Sequence, residues 1–274
     1  MSAGARPILL VGCGKMGGAL LGGWLAHGIA PERVTVVEPT AEAAEAARAA
    51  HGVEVVSAAD GLEAAFAPGV VVLAVKPQVM DAAAPAYRRF VAPDTVFLSI
   101  AAGKSIGYFA RRLGEGAAIV RAMPNLPAAV GHGISVLCAN PNATAGQRET
   151  CRELLAAVGE AVWIDDEALL DAVTAVSGSG PAYVFLLIEC LAEAGVDAGL
   201  GADLAMRLAR ATVCGAGALA AQTPEPAGVL RRNVTSPGGT TAAALEVLTG
   251  ADGLKPLLGR AVAAAARRAR ELAD

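Results

Sequence analysis

Two glycine-bearing stretches carry the residue types and spacing that could do chemistry in this 274-residue chain. Gly12-Cys13-Gly14-Lys15-Met16-Gly17 follows the apolar run Ile8–Val11 and opens an alanine-rich segment, which satisfies G-x-G-x-x-G in its required context. In that motif Gly12 permits the tight turn, Gly14 lets a pyrophosphate touch backbone, and Gly17 lets the helix pack on the sheet, with Lys15 and Met16 completing the cofactor-facing turn. The second stretch is Ser236-Pro237-Gly238-Gly239-Thr240-Thr241, ahead of a helical pattern at 242–248. Its two glycines allow close approach of a ligand, and the helix behind it turns free N–H groups and a positive dipole end toward the loop. Either threonine hydroxyl there caps the helix or hydrogen-bonds a bound molecule.

Between these stretches lie further candidate contacts. Glu38 comes about 20 residues after the glycines, where an acid holds a ribose 2′-hydroxyl. Its charge repels a 2′-phosphate and tilts the choice toward NADH, while Arg33 and Arg48 in neighbouring segments leave NADPH open. Ala74-Val75-Lys76-Pro77-Gln78 ends an apolar run, and Lys76 there either faces cofactor phosphates or ribose or is a surface lysine. Ser99-Ile100-Ala101-Ala102-Gly103 and Met123-Pro124-Asn125 end the next two runs, and their small residues and single amide suit a flat nicotinamide ring.

The elements that must position these residues follow from periodicity. Residues 8–12, 34–38, 53–56, 70–75, 95–101 and 118–123 are short, almost wholly apolar runs, as parallel strands buried on both faces require. Segments 16–27, 41–50 and 61–66 between them have helical composition, so the expected fold is α/β, a Rossmann-type doubly wound sheet. Further strands are expected at 133–139 and 161–164, around a helix near 144–158. From residue 165 on the texture is helical throughout: 166–176, 180–196, 202–222, 225–233, 240–249 and 252–272. The expected domains are therefore 1–164, dinucleotide-binding, and 165–274, an all-helical domain for substrate binding and dimerisation. Helices apolar on more than one face are hard to satisfy within so small a domain, which makes a homodimer the natural solution.

Composition narrows the classes. A net charge of −4 gives no basic footprint for nucleic acid. Five scattered cysteines without C-x-x-C spacing, and three distant histidines, point to reduced thiols in the cytoplasm and to no metal site. Arg6 with Ile8–Val11 superficially resembles a signal peptide, but Gly12, Gly14, Gly17 and Gly18 cut the run. No run of about 18 uninterrupted apolar residues occurs, so no membrane partner is expected.

Five segments then occur in an order that resembles pyrroline-5-carboxylate reductases: Ala74–Gln78, Ser99–Gly103, Arg121–Asn125, Val173–Tyr183 (containing S-G-S-G-P-A-Y) and Ser236–Thr241. The similarity runs from about residue 7 to residue 272, with Leu126 where the family usually has threonine and Glu38 where many members have a small polar residue. The resemblance implies reduction of 1-pyrroline-5-carboxylate to L-proline by NADPH or NADH. It further implies that Thr241 contacts the imine nitrogen, that Asn233, Ser236, Gly238, Gly239 and Thr240 surround the substrate, and that Asp166 lies near it. It places the Ser177–Tyr183 region near the active site and the dimer core. A hydroxy-acid dehydrogenase of the same architecture would need a lysine base early in the second domain, and residues 165–200 contain no lysine. A non-catalytic dinucleotide-binding protein would leave the Ser236–Thr241 loop without a ligand.

Overall fold

The computed structural model describes residues 6–272. They form two compact units: the chain up to Gly178 together with the chain from Ala266 on, and Ser179–Ala265.

The first unit is built on eight strands: β1 (Ile8–Val11), β2 (Val34–Val37), β3 (Glu54–Val56), β4 (Val70–Leu73), β5 (Val96–Ser99), β6 (Ala118–Met123), β7 (Gly133–Ala139) and β8 (Gly159–Trp163). Their order is β3-β2-β1-β4-β5-β6-β7-β8. Every pairing is parallel except β6 with β7. Strand side chains alternate between faces, and both faces are covered. Ile8 and Leu10 pack with Leu20, Trp24 and Leu154, whereas Leu9 and Val11 pack with Tyr87, Tyr108 and Phe109. Register is level: Val11 lies opposite Val37 on one side and Leu73 on the other. The carboxyl ends of β1, β2 and β4 therefore emerge together, where strand order reverses from β2-β1 to β1-β4. That is the crevice where open α/β sheets bind ligands.

Helices α1 (Lys15–Ala26), α2 (Ala41–His51), α3 (Met80–Ala83), α4 (Ile106–Leu113), α5 (Ala145–Ala156) and α6 (Leu170–Val173) complete this unit. Trp24 Nε1 donates to the Leu154 carbonyl at 2.8 Å, tying α1 to α5 through the interior. All eight expected strands are present. Of residues 61–66, expected as helix, only Gly61 is helical, as the last residue of a 3-10 turn (Ala59–Gly61). A six-residue segment gains too few hydrogen bonds to offset nucleation. Instead Leu62 inserts into the core, and Phe66 meets Phe90 edge-on at 6.0 Å.

The expected boundary at 164 also shifts. Packing groups residues 165–178 with the sheet because Leu170 is buried against Val136 and Cys138. The expected helix at 166–176 is a 3-10 turn (Glu167–Leu169), α6 and a π turn (Thr174–Gly178) in succession.

The second unit is helical: α7 (Gly180–Asp197), α8 (Ala202–Gln222), α9 (Ala227–Asn233), α10 (Thr240–Leu248) and most of α11 (Leu254–Glu271). Pro181 occupies the first turn of α7, where its missing N–H costs nothing. Gly195 lies inside α7. A Cβ there would stand 3.2 Å from the Ala205 Cβ, so it serves the α7–α8 contact. Apolar side chains lie open along these helices, among them Phe185 (53% exposed), Leu186 (56%) and Leu219 (55%). The stretches Glu167–Asp197 and Ala202–Gln222 are long and apolar enough to cross a membrane by length and composition, with mean hydropathy 1.5 and 1.2. The criterion of an uninterrupted apolar run misses them because acidic residues such as Glu189 and Asp203 break the run.

Candidate active site

The first unit gathers the expected cofactor residues at the carboxyl ends of its central strands. Gly12 has φ +90°, and its N–H donates to the Val37 carbonyl at 2.9 Å. A Cβ on Gly17 would sit 2.2 Å from the Gly12 carbonyl oxygen, so α1 can start here only on glycine. Gly14 differs: a Cβ would meet nothing within 4 Å, and the residue caps α1 without any side-chain hydrogen bond. The turn thus presents a smooth backbone cradle with helix N–H groups behind it, which fits a dinucleotide pyrophosphate. Lys15 is exposed beside it, while the Met16 side chain packs against the core.

Val75, Lys76 and Pro77 follow β4. The Val75 side chain closes on Gly12, lying 2.8 Å from where a Cβ would stand, and Lys76 is exposed. Past β5, Ser99 Oγ accepts the Ala101 N–H at 3.2 Å and holds the tight turn. Ala102 is exposed, and Gly103, at φ +75°, is covered by the chain end: a Cβ would lie 2.8 Å from the Leu272 carbonyl oxygen. Past β6, Met123 reaches Gly178, where a Cβ would stand 2.4 Å from its Cε. Asn125 Oδ1 accepts the Ile134 N–H at 2.9 Å, and its Nδ2 donates to Ser177 Oγ at 3.2 Å. The amide expected beside a nicotinamide therefore holds Ser177. Leu126 is 47% exposed. A Cβ on Gly180 would meet nothing within 4 Å, so only Gly178 of the two is required by close packing.

Glu38 lies at the end of β2, 8% exposed. Its Oε2 accepts the Cys13 N–H at 2.9 Å and its Oε1 the Thr40 N–H at 3.0 Å. Burial, and then the Glu38 charge, push the Cys13 thiol pKa up. The two arginines left open for a 2′-phosphate are used elsewhere. Arg33 precedes β2, at the opposite end of the sheet from Glu38, and donates to the Arg6 carbonyl at 3.3 Å. Arg48 donates to the Val55 carbonyl at 2.8 Å and pairs with Glu45 at 3.5 Å.

One three-way link was not visible in sequence. Arg121 Nη1 donates to Glu167 Oε1 at 2.8 Å, and the same oxygen accepts the Ile106 N–H at 2.8 Å. One carboxylate thereby joins β6, α4 and the segment leading to Ser177. Asp166, expected near substrate, uses Oδ1 to cap the adjoining turn through the Ala168 N–H at 2.9 Å.

In the second unit, Ser236 to Gly239 form a β-turn closed by the Gly239 N–H to the Ser236 carbonyl at 3.0 Å. Pro237 takes its second position, and Gly238, at φ +66°, its third, a conformation that favours glycine. Gly239 then caps α10, with no side-chain cap. Neither Thr240 nor Thr241 is the helix cap, so both hydroxyls stand in the first turn of α10 beside its N–H groups. Asn233 ends α9 and donates to Glu225 at 3.4 Å.

All five cysteines are free thiols. Among the described residues no group of three or more His, Cys, Asp or Glu side chains could hold a metal ion.

Comparison with known proteins places these features. Residues 167–272 match the family model described as pyrroline-5-carboxylate reductase dimerisation, and residues 7–103 that described as NADP oxidoreductase coenzyme F420-dependent. The chain is 41% identical to a pyrroline-5-carboxylate reductase of Pseudomonas aeruginosa, over 97% of both chains. It is 37% identical to that of Pisum sativum, over 96% of this chain and 94% of the other. A solved pyrroline-5-carboxylate reductase of Coxiella burnetii superposes with TM-score 0.92 at 34% identity, covering 98% of this chain and 99% of that one. The Plasmodium falciparum pyrroline carboxylate reductase, solved with NADP bound, superposes with TM-score 0.83 at 29% identity, covering 98% of each. The open apolar helices of the second unit fall within the matched dimerisation region. The chain belongs to the pyrroline-5-carboxylate reductase family.

Proposed function

We propose that this protein is a pyrroline-5-carboxylate reductase, converting 1-pyrroline-5-carboxylate to L-proline at the expense of NAD(P)H. The observation that carries the substrate assignment is the Ser236–Thr241 turn. Its geometry leaves backbone N–H groups and two hydroxyls at one helix start, with no cationic side chain in the motif. A carboxylate is held there by N–H groups and the helix dipole. Ser236, Gly238, Gly239 and Thr240 take that part, with Asn233 toward the ring. Thr241 is assigned to the imine nitrogen. Positive charge at that nitrogen makes the C=N carbon electrophilic, so a hydroxyl that orients and supports the protonated imine is the chemistry needed. No histidine or cysteine is needed, because the imine can arrive protonated from solvent. Asp166 keeps a place as the cap that steadies the chain leading to Ser177.

The bound nicotinamide supplies the hydride. Gly12, Gly14 and Gly17, with the N–H groups of Lys15 and Met16, are the pyrophosphate cradle, and Glu38 faces the ribose. Val75, Lys76, Pro77, Ala101, Ala102, Gly103, Met123, Pro124 and Asn125 complete the cofactor wall. The finer preference is for NADH, because the carboxylate of Glu38 opposes a 2′-phosphate and Arg33 and Arg48 are committed elsewhere. Self-association runs through α7 and α8. Five free thiols fit a reducing compartment, and the cytoplasm is the assigned location.

The test is NADH or NADPH oxidation, followed by absorbance with pyrroline-5-carboxylate supplied. Turnover supports the assignment, and no turnover with either cofactor overturns it. Thr241→Ala should lower kcat by roughly 100-fold, the scale of a lost positioned donor, with the cofactor Kd unchanged. An unchanged kcat removes Thr241 from the mechanism.

A further inference from the structure

Both ends of the Asn125 amide are engaged, and the partners fix which end is which. The Ile134 N–H can only donate, so the atom facing it at 2.9 Å is the Asn125 oxygen. Nδ2 is therefore the atom turned to Ser177, and it donates to Ser177 Oγ at 3.2 Å. An amide nitrogen accepts no hydrogen bond, so this contact uses a lone pair of the serine oxygen and leaves the hydroxyl proton free. Among the described residues the Ser177 hydroxyl donates to nothing. Thr174, the other hydroxyl of the same π turn, donates instead to the Leu170 carbonyl at 2.7 Å. The bonds thus run one way, from Ile134 through Asn125 to Ser177, and end on an O–H. Accepting the Asn125 bond polarises that O–H and makes it a stronger donor.

The backbone sets where this donor stands. Thr174–Gly178 is a π turn, a form that recurs at functional sites. Met123 seats it at the end of β6, because its Cε lies where a Cβ on Gly178 would collide. Ser177 is half-buried there, next to the Met123-Pro124-Asn125 stretch whose shape suits a nicotinamide ring. That ring carries one strong neutral acceptor, its carboxamide oxygen. We propose that the Ser177 hydroxyl, oriented by the Asn125 amide, is the donor to that oxygen. The proposal rests on the reading that the sheet unit binds NAD(P)H, and it is independent of which imine is reduced. A ring held by its carboxamide cannot swing about its glycosidic bond, so it keeps one face of C4 toward the substrate.

ADP-ribose lacks the nicotinamide and so reports the rest of the cofactor site. Calorimetry on the full chain compares it with NADH, or compares 2′-phospho-ADP-ribose with NADPH if that pair binds more tightly. Ser177→Ala should weaken the reduced cofactor roughly tenfold, the scale of one lost hydrogen bond, and leave the ADP-ribose probe unchanged. A second pair of ligands needs no variant: 3-acetylpyridine adenine dinucleotide keeps the carbonyl oxygen, and 3-aminopyridine adenine dinucleotide lacks it. The unmodified protein should bind the first roughly tenfold more tightly, and Ser177→Ala should level the two. If Ser177→Ala does not fold, this pair still decides. Equal affinity of the unmodified protein for the two analogues overturns the proposal. So does a Ser177→Ala loss shared by ADP-ribose, or no loss at all, or an effect confined to the KM for the imine. Failure of every dinucleotide to bind overturns the cofactor reading and this proposal with it. Loss of pyrroline-5-carboxylate turnover alone leaves the binding result intact and counts against the substrate assignment instead.

Discussion

Gly14 and Gly17 are three residues apart in one motif and do different work, which the space around each makes plain. A Cβ on Gly17 would collide with the Gly12 carbonyl, whereas one on Gly14 would touch nothing of the protein. Gly17→Ala should thus cost about 2–3 kcal/mol in urea unfolding and abolish cofactor binding. Gly14→Ala should cost under about 1 kcal/mol, the scale of a poorer N-cap, while still weakening the cofactor in a binding titration. Equal stability losses would show that the open space at Gly14 is not for a ligand. A second residue-level effect concerns pH. Tyr87 is buried in the core, and its phenol is pushed up to about 12 by that burial. The unfolded chain ionises Tyr87 first, near pH 10, so stability is intact below that and falls as pH rises from about 10 to about 12. Tyr87→Phe should flatten that part of an alkaline unfolding curve; an unchanged slope there would assign the loss to other groups. The motif glycines were legible in sequence because each answers a local backbone demand. The engagement of Glu38 with Cys13 and Thr40 was not, because it depends on two loops meeting across β1 and β2.

At the scale of elements, local signals worked where a segment was long or strongly periodic. Helix α8 was read to its ends, and all eight strands were found. They failed at 61–66, where alanine-rich composition stood in for periodicity. They also passed over α4, although Ser105 is a capping residue whose Oγ accepts the Tyr108 N–H at 3.0 Å. The chain after β8 shows why a texture change is not a packing boundary. Residues 165–178 are helical in composition, but Leu170 and Glu167 bind them to the sheet unit. Glu167→Ala should leave the nearly buried Arg121 guanidinium and the Ile106 N–H unpaired, at a cost of about 2–3 kcal/mol. Urea unfolding checks this, and a loss below about 0.5 kcal/mol would make the strut incidental. Because Asn125 also holds Ser177, the same variant should raise the cofactor KM more than it lowers kcat.

For the whole molecule, the apolar faces of α7 and α8 are too extensive to stay in water. A second copy of the chain is the occupant proposed for them, and the match of this region to a dimerisation family model supports it. Leu186→Glu replaces a side chain 56% exposed in the single chain, so it should cost a monomer almost nothing. In an associated protein it should lower the sedimenting mass and make the melting temperature fall on dilution. An unchanged mass would move the interface off that face of α7.

Sequence alone determined the eight strands, the long helices such as α8, the glycine turn at 12–17, the turn at 236–241 and the family, because each rests on neighbours along the chain or on the order of motifs. Periodicity and turn chemistry are local, and they survive without coordinates. Only the tertiary structure decided which residues bear on one another. It tied Arg33 to the Arg6 carbonyl and Arg48 to the Val55 carbonyl, joined Arg121 to Glu167, and linked Asn125 to Ser177. It also showed the Glu38 carboxylate already held by two amides. Strand register and order set those neighbours, and they arise from packing across the sheet, which no single stretch of sequence contains.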